Sequence, residues 1–236
     1  MLLLDIGNTH TRIARWRNGV VEMIETIDTA VLSTEKVRRW LIPDEPCAAA
    51  SVVPAAAKRL TGIDIRFISA ATAAGGVDFT RVDTSTLGAD RVANAVALAT
   101  SGILPGLVLD CGTAITIEIV DAEGVFRGGA ISPGRGMFRR ALHVGTAQLP
   151  ELPPATRPPA AAGENTAAAL ALGIDLGAVG MVRELLTVLS RQFPGIRSLA
   201  TGGDAAFFCS ALPELLEPAT SDFTLRGIAI ASGLKE

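Results

Sequence analysis

An internal repeat is the feature that most constrains the fold of this chain. Residues 2–11 read LLLDIGNTHT, and 105 positions later residues 107–116 read LVLDCGTAIT. Each copy is typical of a buried apolar strand that ends in Asp-x-Gly, followed by small polar residues and a second strand. The repeat therefore predicts two similar halves.

A β-ribbon is predicted after the start of each half. The β-rich runs 11–14 and 20–27 flank Arg17-Asn18-Gly19, and the runs 115–120 and 125–131 flank Asp121-Ala122-Glu123-Gly124. Asn-Gly and Asp-x-x-Gly between such runs are typical of hairpins. The acid, glycine and hydroxyl groups of each Asp-x-Gly turn can bind phosphate through backbone N–H groups and hold a cation. Two ordinary strand turns are the alternative interpretation.

Helical and strand patterns alternate along the rest of the chain. Helices are predicted over 33–41, 90–100, 137–147, 164–193 and 204–215, and short strands over 47–53, 63–68 and 198–200. Residues 150–159 contain five of the 13 prolines, which predicts an irregular connection. Strands followed by helices, twice over, predict an α/β protein with a ligand cleft between two similar halves.

Composition excludes several classes of protein. The 236 residues include 21 Lys and Arg against 24 Asp and Glu, and 49% are apolar, which excludes a disordered chain and argues against bulk nucleic-acid binding. The apolar run at residues 2–4 is too short for a signal peptide or a membrane span. Cys47, Cys111 and Cys209 form no CxxC pair, so neither a disulfide framework nor a zinc site is expected. We expect a soluble, cytoplasmic protein without nucleic-acid or membrane partners.

Several common catalytic motifs are absent from the sequence. There is no GxxxxGK[ST], which excludes a P-loop, and Gly128-Gly129 and Gly134 have the wrong spacing for a dinucleotide fingerprint. Residues 130–134 do not match a nucleophile elbow. His10 and His143 are the only histidines, and nothing in the sequence places catalytic partners near them.

The remaining polar turns resemble a known ATPase superfamily. The two Asp-x-Gly turns and the later Thr201-Gly202-Gly203-Asp204 are similar to the phosphate and adenosine loops of the actin/Hsp70/sugar-kinase ATPases. Within that superfamily the chain resembles type III pantothenate kinase in eight segments that occur in the same order from Met1 to about Gly227. The segments are Asp5-Ile6-Gly7-Asn8-Thr9, Ser51-Val52-Val53-Pro54, Gly88-Ala89-Asp90-Arg91, Asp110-x-Gly112-Thr113-Ala114-x-Thr116, Gly128-Gly129-x-Ile131-x-Pro133-Gly134, Thr146-Ala147-x-Leu149-Pro150, Gly163-x-Asn165-Thr166 and Thr201-Gly202-Gly203.

The resemblance implies a fold, an activity and an assembly. It implies two ribonuclease-H-like halves around a nucleotide cleft, with residues 1–103 carrying the first phosphate loop and the substrate loop. Residues 104–236 would carry the second phosphate loop, the adenosine loop and a dimer helix. The implied reaction is ATP-dependent phosphorylation of the 4′-hydroxyl of pantothenate, the first step of coenzyme A synthesis, with Mg²⁺ and a monovalent cation (K⁺ or NH₄⁺). The implied assembly is a homodimer with its site near the interface.

The same resemblance assigns roles to individual residues. Asp90 is the expected general base, with Gly88, Ala89 and Arg91 completing the substrate loop, and Thr166 is expected to reach pantothenate across the dimer interface. Asp110 is the expected ligand of the monovalent cation, and Asp5 the expected carboxylate on the Mg²⁺ side. The residues expected to bind ATP are Asp5, Ile6, Gly7, Asn8, Thr9, His10, Thr11, Arg12, Gly112, Thr113, Thr201, Gly202 and Gly203.

Each assignment has a structural alternative. Asp90 is well placed to cap the helix predicted over 90–100, a role that stabilises by about 1 kcal/mol. Arg91 can be a solvated helix residue, Thr166 a helix cap, and the strand-end acids Asx turns. Cys111 is expected to be a buried, inert thiol. The alternative functions are a non-catalytic transcriptional accessory relative and a kinase for another small hydroxyl substrate.

The chain departs from the family pattern at three places. Glu118 stands where the second phosphate loop usually ends in Thr-x-Asp, and Arg135 follows Pro133-Gly134 where Leu is usual. Residues 81–87 lack the usual aromatic side chain, and the whole chain has no tyrosine. The extra methylene of Glu118 moves its carboxylate by about 1.5 Å, which is enough to alter a cation or water contact. The nucleotide loops and the base are intact, so the open question is the detail of the substrate pocket.

Overall fold

Each half of the chain is built on a five-stranded sheet in the computed structural model, which describes residues 1–234. The first sheet has the order β3-β2-β1-β4-β5, and the second has the order β10-β9-β6-β7-β8. Read from β8, the second order repeats the first with every strand number raised by five, which confirms two similar halves. The strands are β1 (Leu2–Ile6), β2 (His10–Arg17), β3 (Val20–Asp28), β4 (Cys47–Ser51), β5 (Arg66–Phe67), β6 (Gly106–Cys111), β7 (Ala114–Val120), β8 (Phe126–Pro133), β9 (Arg197–Thr201) and β10 (Glu217–Pro218).

Both predicted hairpins are confirmed. β1 pairs antiparallel with β2, β2 pairs antiparallel with β3, and the turn between β2 and β3 holds Asn18 (φ 49°) and Gly19 (φ 78°) in the left-handed region. In the second half, the Asp121 carboxylate accepts hydrogen bonds from the N–H groups of Glu123 (3.1 Å) and Val125 (2.9 Å). A side chain that satisfies the turn's own backbone donors fixes the turn, as short polar residues commonly do.

Eight α-helices lie among the described residues. They are α1 (Thr34–Arg38), α2 (Pro54–Ala57), α3 (Ala89–Thr100), α4 (Arg135–Gly145), α5 (Thr166–Ala171), α6 (Gly177–Gln192), α7 (Ala205–Ala211) and α8 (Phe223–Ser232). The long helix predicted over 164–193 is interrupted by a π-helical turn at Leu172–Leu176, and α8 was not predicted. The proline-rich segment 150–159 is irregular, as predicted. Within residues 1–234, no helix combines the length and the apolar character that a membrane crossing requires.

The chain divides into two compact units. The first comprises Met1–Leu104, Glu118–Gly128 and the segment from Thr220 onward, and the second comprises Pro105–Ile117 and Gly129–Ala219. The division predicted from the sequence repeat, into residues 1–103 and 104–236, stays a prediction.

The core of the first unit lies on both faces of its sheet. On one face Leu2, Leu4 and Ile6 of β1 are fully buried in a cluster that includes Val37 of α1. On the other face α8 packs against α3 and also contacts β1 and β4. Because β1 is covered on both sides, its side chains form a continuous apolar run, as the sequence shows.

Close packing of α3 against α8 depends on Gly227. A Cβ atom built on Gly227 would overlap the backbone carbonyl of Ala93 in α3, so any larger residue forces the two helices apart. We expect Gly227→Ala to lower the free energy of unfolding by about 1–3 kcal/mol, the usual cost of overpacking. Urea unfolding monitored by circular dichroism measures this change.

Gly180→Ala in α6 is the matched control. A Cβ atom on Gly180 meets nothing within 4 Å, so alanine there should raise stability through helix propensity. A Gly227→Ala variant as stable as the wild type would show that the α3–α8 contact does not require glycine.

Candidate active site

The predicted first phosphate loop is an exposed turn at the end of β1. The Gly7 N–H donates to the His10 carbonyl (3.0 Å), and the Thr29 hydroxyl donates to the Gly7 carbonyl (2.7 Å), which closes the turn. The three residues at its tip, Asn8, Thr9 and His10, are exposed. Ile6 and Thr11, which were expected among the ATP contacts, have fully buried side chains, so they support the loop from beneath.

Arg12 holds Asp5 in place beside this loop. The two residues are paired across β1 and β2, and the Arg12 Nε and Nη2 atoms donate to Oδ2 of Asp5 at 2.9 and 2.7 Å. The side chains are 27% and 16% exposed. A half-buried pair with two charge-assisted hydrogen bonds on a single oxygen fixes the orientation of the Asp5 carboxylate.

Asp90 lies in the first turn of α3. Gly88 occupies the N-cap position of this helix and Asp90 is its second residue, so the alternative that Asp90 serves as the N-cap is wrong. Its Oδ1 accepts a hydrogen bond from the Arg91 N–H at 2.7 Å. Burial raises the pKa of Asp90, the Arg91 N–H acts in the opposite direction, and the negative charge of Asp5 raises the pKa further. Asp90 is thus a partly buried carboxylate whose proton affinity is increased.

Glu118 has a role that the sequence did not reveal. Its side chain is fully buried, Oε1 accepts a hydrogen bond from Arg91 Nε at 2.8 Å, and Oε2 lies 3.4 Å from Asn94 Nδ2. Asn94 Oδ1 in turn accepts from the Thr224 hydroxyl at 2.9 Å, which connects the network to α8. In this network Glu118 orients Arg91, the residue that follows Asp90. The sequence did contain a signal for this network, because Glu118 is the one acid in the apolar strand β7 and a buried carboxylate needs a partner.

The predicted second phosphate loop packs directly against the predicted adenosine turn in the second unit. Asp110, the last residue but one of β6, lies opposite Thr201 in β9, and the two strands are parallel. Gly202 (φ 90°) lies so close that a Cβ atom on it would be 2.6 Å from Asp110 Oδ1 and 2.7 Å from the Cys111 carbonyl. The Asp204 N–H donates to the same Cys111 carbonyl at 3.0 Å. The ATP-binding residues predicted in this unit are therefore neighbours, with Gly112 and Thr113 exposed at the loop tip.

Thr166 begins α5 at the rim of an apolar groove. Asn165 is the N-cap of α5, and its side chain accepts from the Ala168 N–H at 3.0 Å, so the alternative of Thr166 as the cap is wrong. The groove encloses about 730 Å³. Its lining includes Phe138 and Leu142 of α4 together with Thr166.

Cys111 is buried, as expected. Burial raises the pKa of its thiol, and the charge of Asp110 adds to that effect. A thiol with a raised pKa is a poor nucleophile, which fits the prediction of an inert side chain.

Comparison with known proteins identifies the family. The family model described as type III pantothenate kinase matches residues 1–188. A type III pantothenate kinase of Methylacidiphilum infernorum is 34% identical over 243 residues, which cover 98% of this chain and 87% of the relative.

Solved structures show the same fold. A Campylobacter jejuni protein described within the Baf family of transcriptional activators superposes with a TM-score of 0.63 at 18% identity, over 97% of this chain and 96% of the other. The activator of 2-hydroxyisocaproyl-CoA dehydratase from Clostridium difficile, solved with bound ADPNP, superposes with a TM-score of 0.53 at 12% identity, over 99% and 95% of the two chains. These neighbours confirm the predicted actin/Hsp70/sugar-kinase ATPase fold. On this fold and these sequence matches, the chain belongs to the type III pantothenate kinase family.

Proposed function

We propose that this kinase transfers the γ-phosphoryl group of ATP to the 4′-hydroxyl of pantothenate, giving 4′-phosphopantothenate and ADP as the first step of coenzyme A synthesis. The observation that carries the proposal is the partly buried Asp90 carboxylate, whose pKa is raised by burial and by the nearby charge of Asp5 next to the proposed first phosphate loop. Membership of a family of pantothenate kinases supports the choice of substrate.

Asp90 acts as the general base in this proposal. The hydroxyl oxygen of pantothenate forms a bond to the γ-phosphorus while the bond from that phosphorus to its bridging oxygen breaks and ADP leaves. The hydroxyl proton passes to the Asp90 carboxylate. Because the transition state for phosphoryl transfer is loose, little proton removal is needed before bond formation, and a carboxylate is basic enough.

Arg91, oriented by Glu118, is assigned to the carboxylate of pantothenate. The hydrogen bond from its Nε to Glu118 fixes the guanidinium group, and the Arg91 Cζ atom lies 5.9 Å from the centroid of the Phe126 ring. A guanidinium group held in this way pairs well with a planar carboxylate. Gly88 and Ala89 complete the substrate loop as backbone contacts.

As a member of this kinase family, the chain uses ATP with a divalent metal ion. Among residues 1–234 there is no cluster of three or more His, Cys, Asp or Glu side chains that could hold a metal. A magnesium ion would therefore be held chiefly by the ATP phosphates, with Asp5 as the protein carboxylate on that side, and it would neutralise phosphate charge.

Asp110 is our proposed ligand of the monovalent cation. Its Oδ1 atom and the Cys111 carbonyl both lie within 3 Å of the point where a Cβ atom on Gly202 would stand, so two oxygen atoms converge beside the phosphate loop. Oxygen donors of this kind suit a hard cation such as K⁺. A bound K⁺ ion would stabilise the negative charge of ATP.

The second unit offers an apolar surface for a homodimer. Met137, Leu142 and Val144 of α4, Leu176 of the π-helical turn and Val188 of α6 are 38–75% exposed. Exposed apolar side chains around a groove are typical of an interaction surface. We propose that a second copy of the chain covers this groove and that Thr166 at its rim contacts pantothenate bound to the partner.

A cytoplasmic location is part of the same proposal. The three cysteines are free, which suits a reducing compartment. A transcriptional accessory role has less support, because the likeness to the Campylobacter jejuni structure shows the fold alone.

We expect Asp90→Asn to reduce turnover of pantothenate by about 10²-fold or more, the lower end of general-base effects. ATP binding should persist, since the phosphate loops are unchanged. Steady-state kinetics with ATP, Mg²⁺ and pantothenate measure the loss. The raised pKa of Asp90 also predicts that acidification lowers kcat/KM for pantothenate at a higher pH than the ordinary pKa of an aspartate would give.

Asp64→Asn is the matched control, because Asp64 is an exposed carboxylate of the first unit, just before β5 and outside the substrate loop. Since burial raises the pKa of Asp90, the folded state binds the proton more tightly than the unfolded state, and ionisation of Asp90 costs stability as the pH rises through that pKa. Asp90→Asn should therefore be at least as stable as the wild type at pH 7. Near-normal activity of folded Asp90→Asn would refute its role as base.

Turnover in K⁺ buffer should exceed turnover in Na⁺ buffer, and Asp110→Asn should remove the difference because it weakens the oxygen ligand. Initial rates at matched ionic strength measure both effects. Turnover by the wild type that does not respond to K⁺ would show that Asp110 has no cation to bind.

Leu142→Glu should convert a dimer into a monomer, since it places a charge in the apolar groove. Light scattering after gel filtration measures the mass. Met23→Glu is the control, because Met23 is 49% exposed on β3 of the first unit and should leave the dimer intact. A monomeric wild type would refute the dimer, and a dimeric Leu142→Glu variant would refute this interface.

A further inference from the structure

A cluster of four charged side chains, three of them buried and one 28% exposed, lies beside the proposed adenosine turn of the second unit. Arg135 and Arg139 of α4 are 2% and 4% exposed, and Asp175 of the π-helical turn is fully buried. Asp204 completes the cluster at the end of the adenosine turn, so two positive and two negative charges balance.

Arg135 is the centre of this cluster. Its Nε and Nη2 atoms donate to the two carboxylate oxygens of Asp204 at 3.0 and 2.6 Å, which is a bidentate pair. Its Nη1 atom donates to Asp175 Oδ1 (3.0 Å) and to the Ala155 carbonyl (2.9 Å). The guanidinium carbon lies 3.5 Å from the centroid of the Phe207 ring. The side chain is thus held by three segments of chain and one ring.

The electrostatics of the cluster keep Arg135 charged. Burial alone lowers the pKa of this guanidinium, but the hydrogen bonds and charges of Asp204 and Asp175 more than offset it, and the pKa lies above its ordinary value. Arg135 therefore keeps the positive charge that its bidentate pair with Asp204 requires.

Asp204 is held from two sides. Its backbone N–H donates to the Cys111 carbonyl of the second phosphate loop at 3.0 Å, and its side chain is held by Arg135. The side chain makes no capping hydrogen bond to α7, the helix that it precedes. The contacts of Asp204 therefore fix the adenosine turn against the phosphate loop on one side and against α4 on the other.

The two carboxylates that Arg135 binds differ in what they would keep without it. Removal of one partner from a buried ion pair is destabilising when the remaining charge has no other partner. Arg139 already pairs with Asp175 at 2.6 and 2.8 Å, so Asp175 would keep a partner without Arg135. The Asp204 side chain is 28% exposed, so water can hydrate its carboxylate when Arg135 is replaced. Of the two arginines, Arg135 is the one that binds Asp204.

We propose that Arg135 is a positioning residue for the nucleotide, which holds the Thr201–Asp204 turn in its binding conformation through Asp204 and so sets the affinity for ATP. This inference rests on the proposed function, in which that turn contacts adenosine. Preorganised contacts of this kind raise affinity because the loop is already ordered before the ligand binds.

The test is calorimetric binding of the non-hydrolysable analogue ADPNP with Mg²⁺, in the absence of pantothenate. We expect Arg135→Leu to raise the Kd by about tenfold, comparable with the loss of one hydrogen bond to a charged group. In turnover assays the KM for ATP should rise by a similar factor, with the KM for pantothenate unchanged. Arg139→Leu is the matched control, since it removes an equally buried arginine one helical turn away that does not contact Asp204, and it should leave the Kd unchanged.

A double-mutant cycle separates positioning through Asp204 from a general loosening of the unit. Asp204→Asn should raise the Kd for ADPNP to a similar extent, and Arg135→Leu/Asp204→Asn should be no worse than the weaker-binding single variant. Additive losses, or an equal loss in Arg139→Leu, would overturn the inference. If Arg135→Leu does not fold, Asp204→Asn provides the test, and a wild-type Kd for ADPNP in that variant would overturn the inference. A wild type that binds no ADPNP would refute the ATP-dependent function as well, whereas equal binding by wild type and folded Arg135→Leu refutes only the role of Arg135.

Discussion

The candidate site depends on one interaction in each half of the chain. The first strand of the half pairs in parallel with the strand that comes after its antiparallel ribbon. β1 pairs with β4 and β6 pairs with β9, with Asp5 opposite Ala50 and Asp110 opposite Thr201. Parallel strands end at the same edge of a sheet, so the polar turns that follow them collect there. The antiparallel ribbons, β2–β3 in the first sheet and β7–β8 in the second, lie on the opposite side of β1 and β6 and leave this edge uncovered.

The sequence predicts the features that depend on short-range signals. The Asp-x-Gly turns, both hairpins and the proline-rich connection follow from residues only a few positions apart, and all three appear in the structure. The failures depend on long-range packing. α8 is apolar on nearly every side because α3, β1 and β4 surround it, and an apolar segment of ten residues with an internal glycine has no clear helical period. The π-helical turn at Leu172–Leu176 interrupts the helix predicted over 164–193, and the glycines of that segment indicated only a less stable helix.

Buried charges mark a second limit of prediction. Glu118 and Asp175 are visible in the sequence as single acids within apolar runs, but their partners are not, because Arg91 and Arg135 are 27 and 40 residues away along the chain. Glu118 and Arg135 are departures from the family pattern, and the pattern placed them at a cation contact and at the substrate pocket. In the structure each belongs to a separate ionic network. Glu118 accepts a hydrogen bond from Arg91 in the proposed substrate loop, and Arg135 binds Asp204 at the end of the proposed adenosine turn.

The packing of α8 in the first unit has a consequence for how the protein folds as it is made. The hydrogen bond between Asn94 and Thr224 joins residues 130 positions apart, and the helix that carries Asp90 is buried largely by this last helix. A ribosome must therefore synthesise the second unit before the first can bury α3. Contacts of such long sequence separation slow folding, and the apolar faces of α3 and β1 stay open to chaperones until α8 has been synthesised. Loss of the last turns of α8, far along the chain from Asp90, would act first on α3, the helix that carries Asp90.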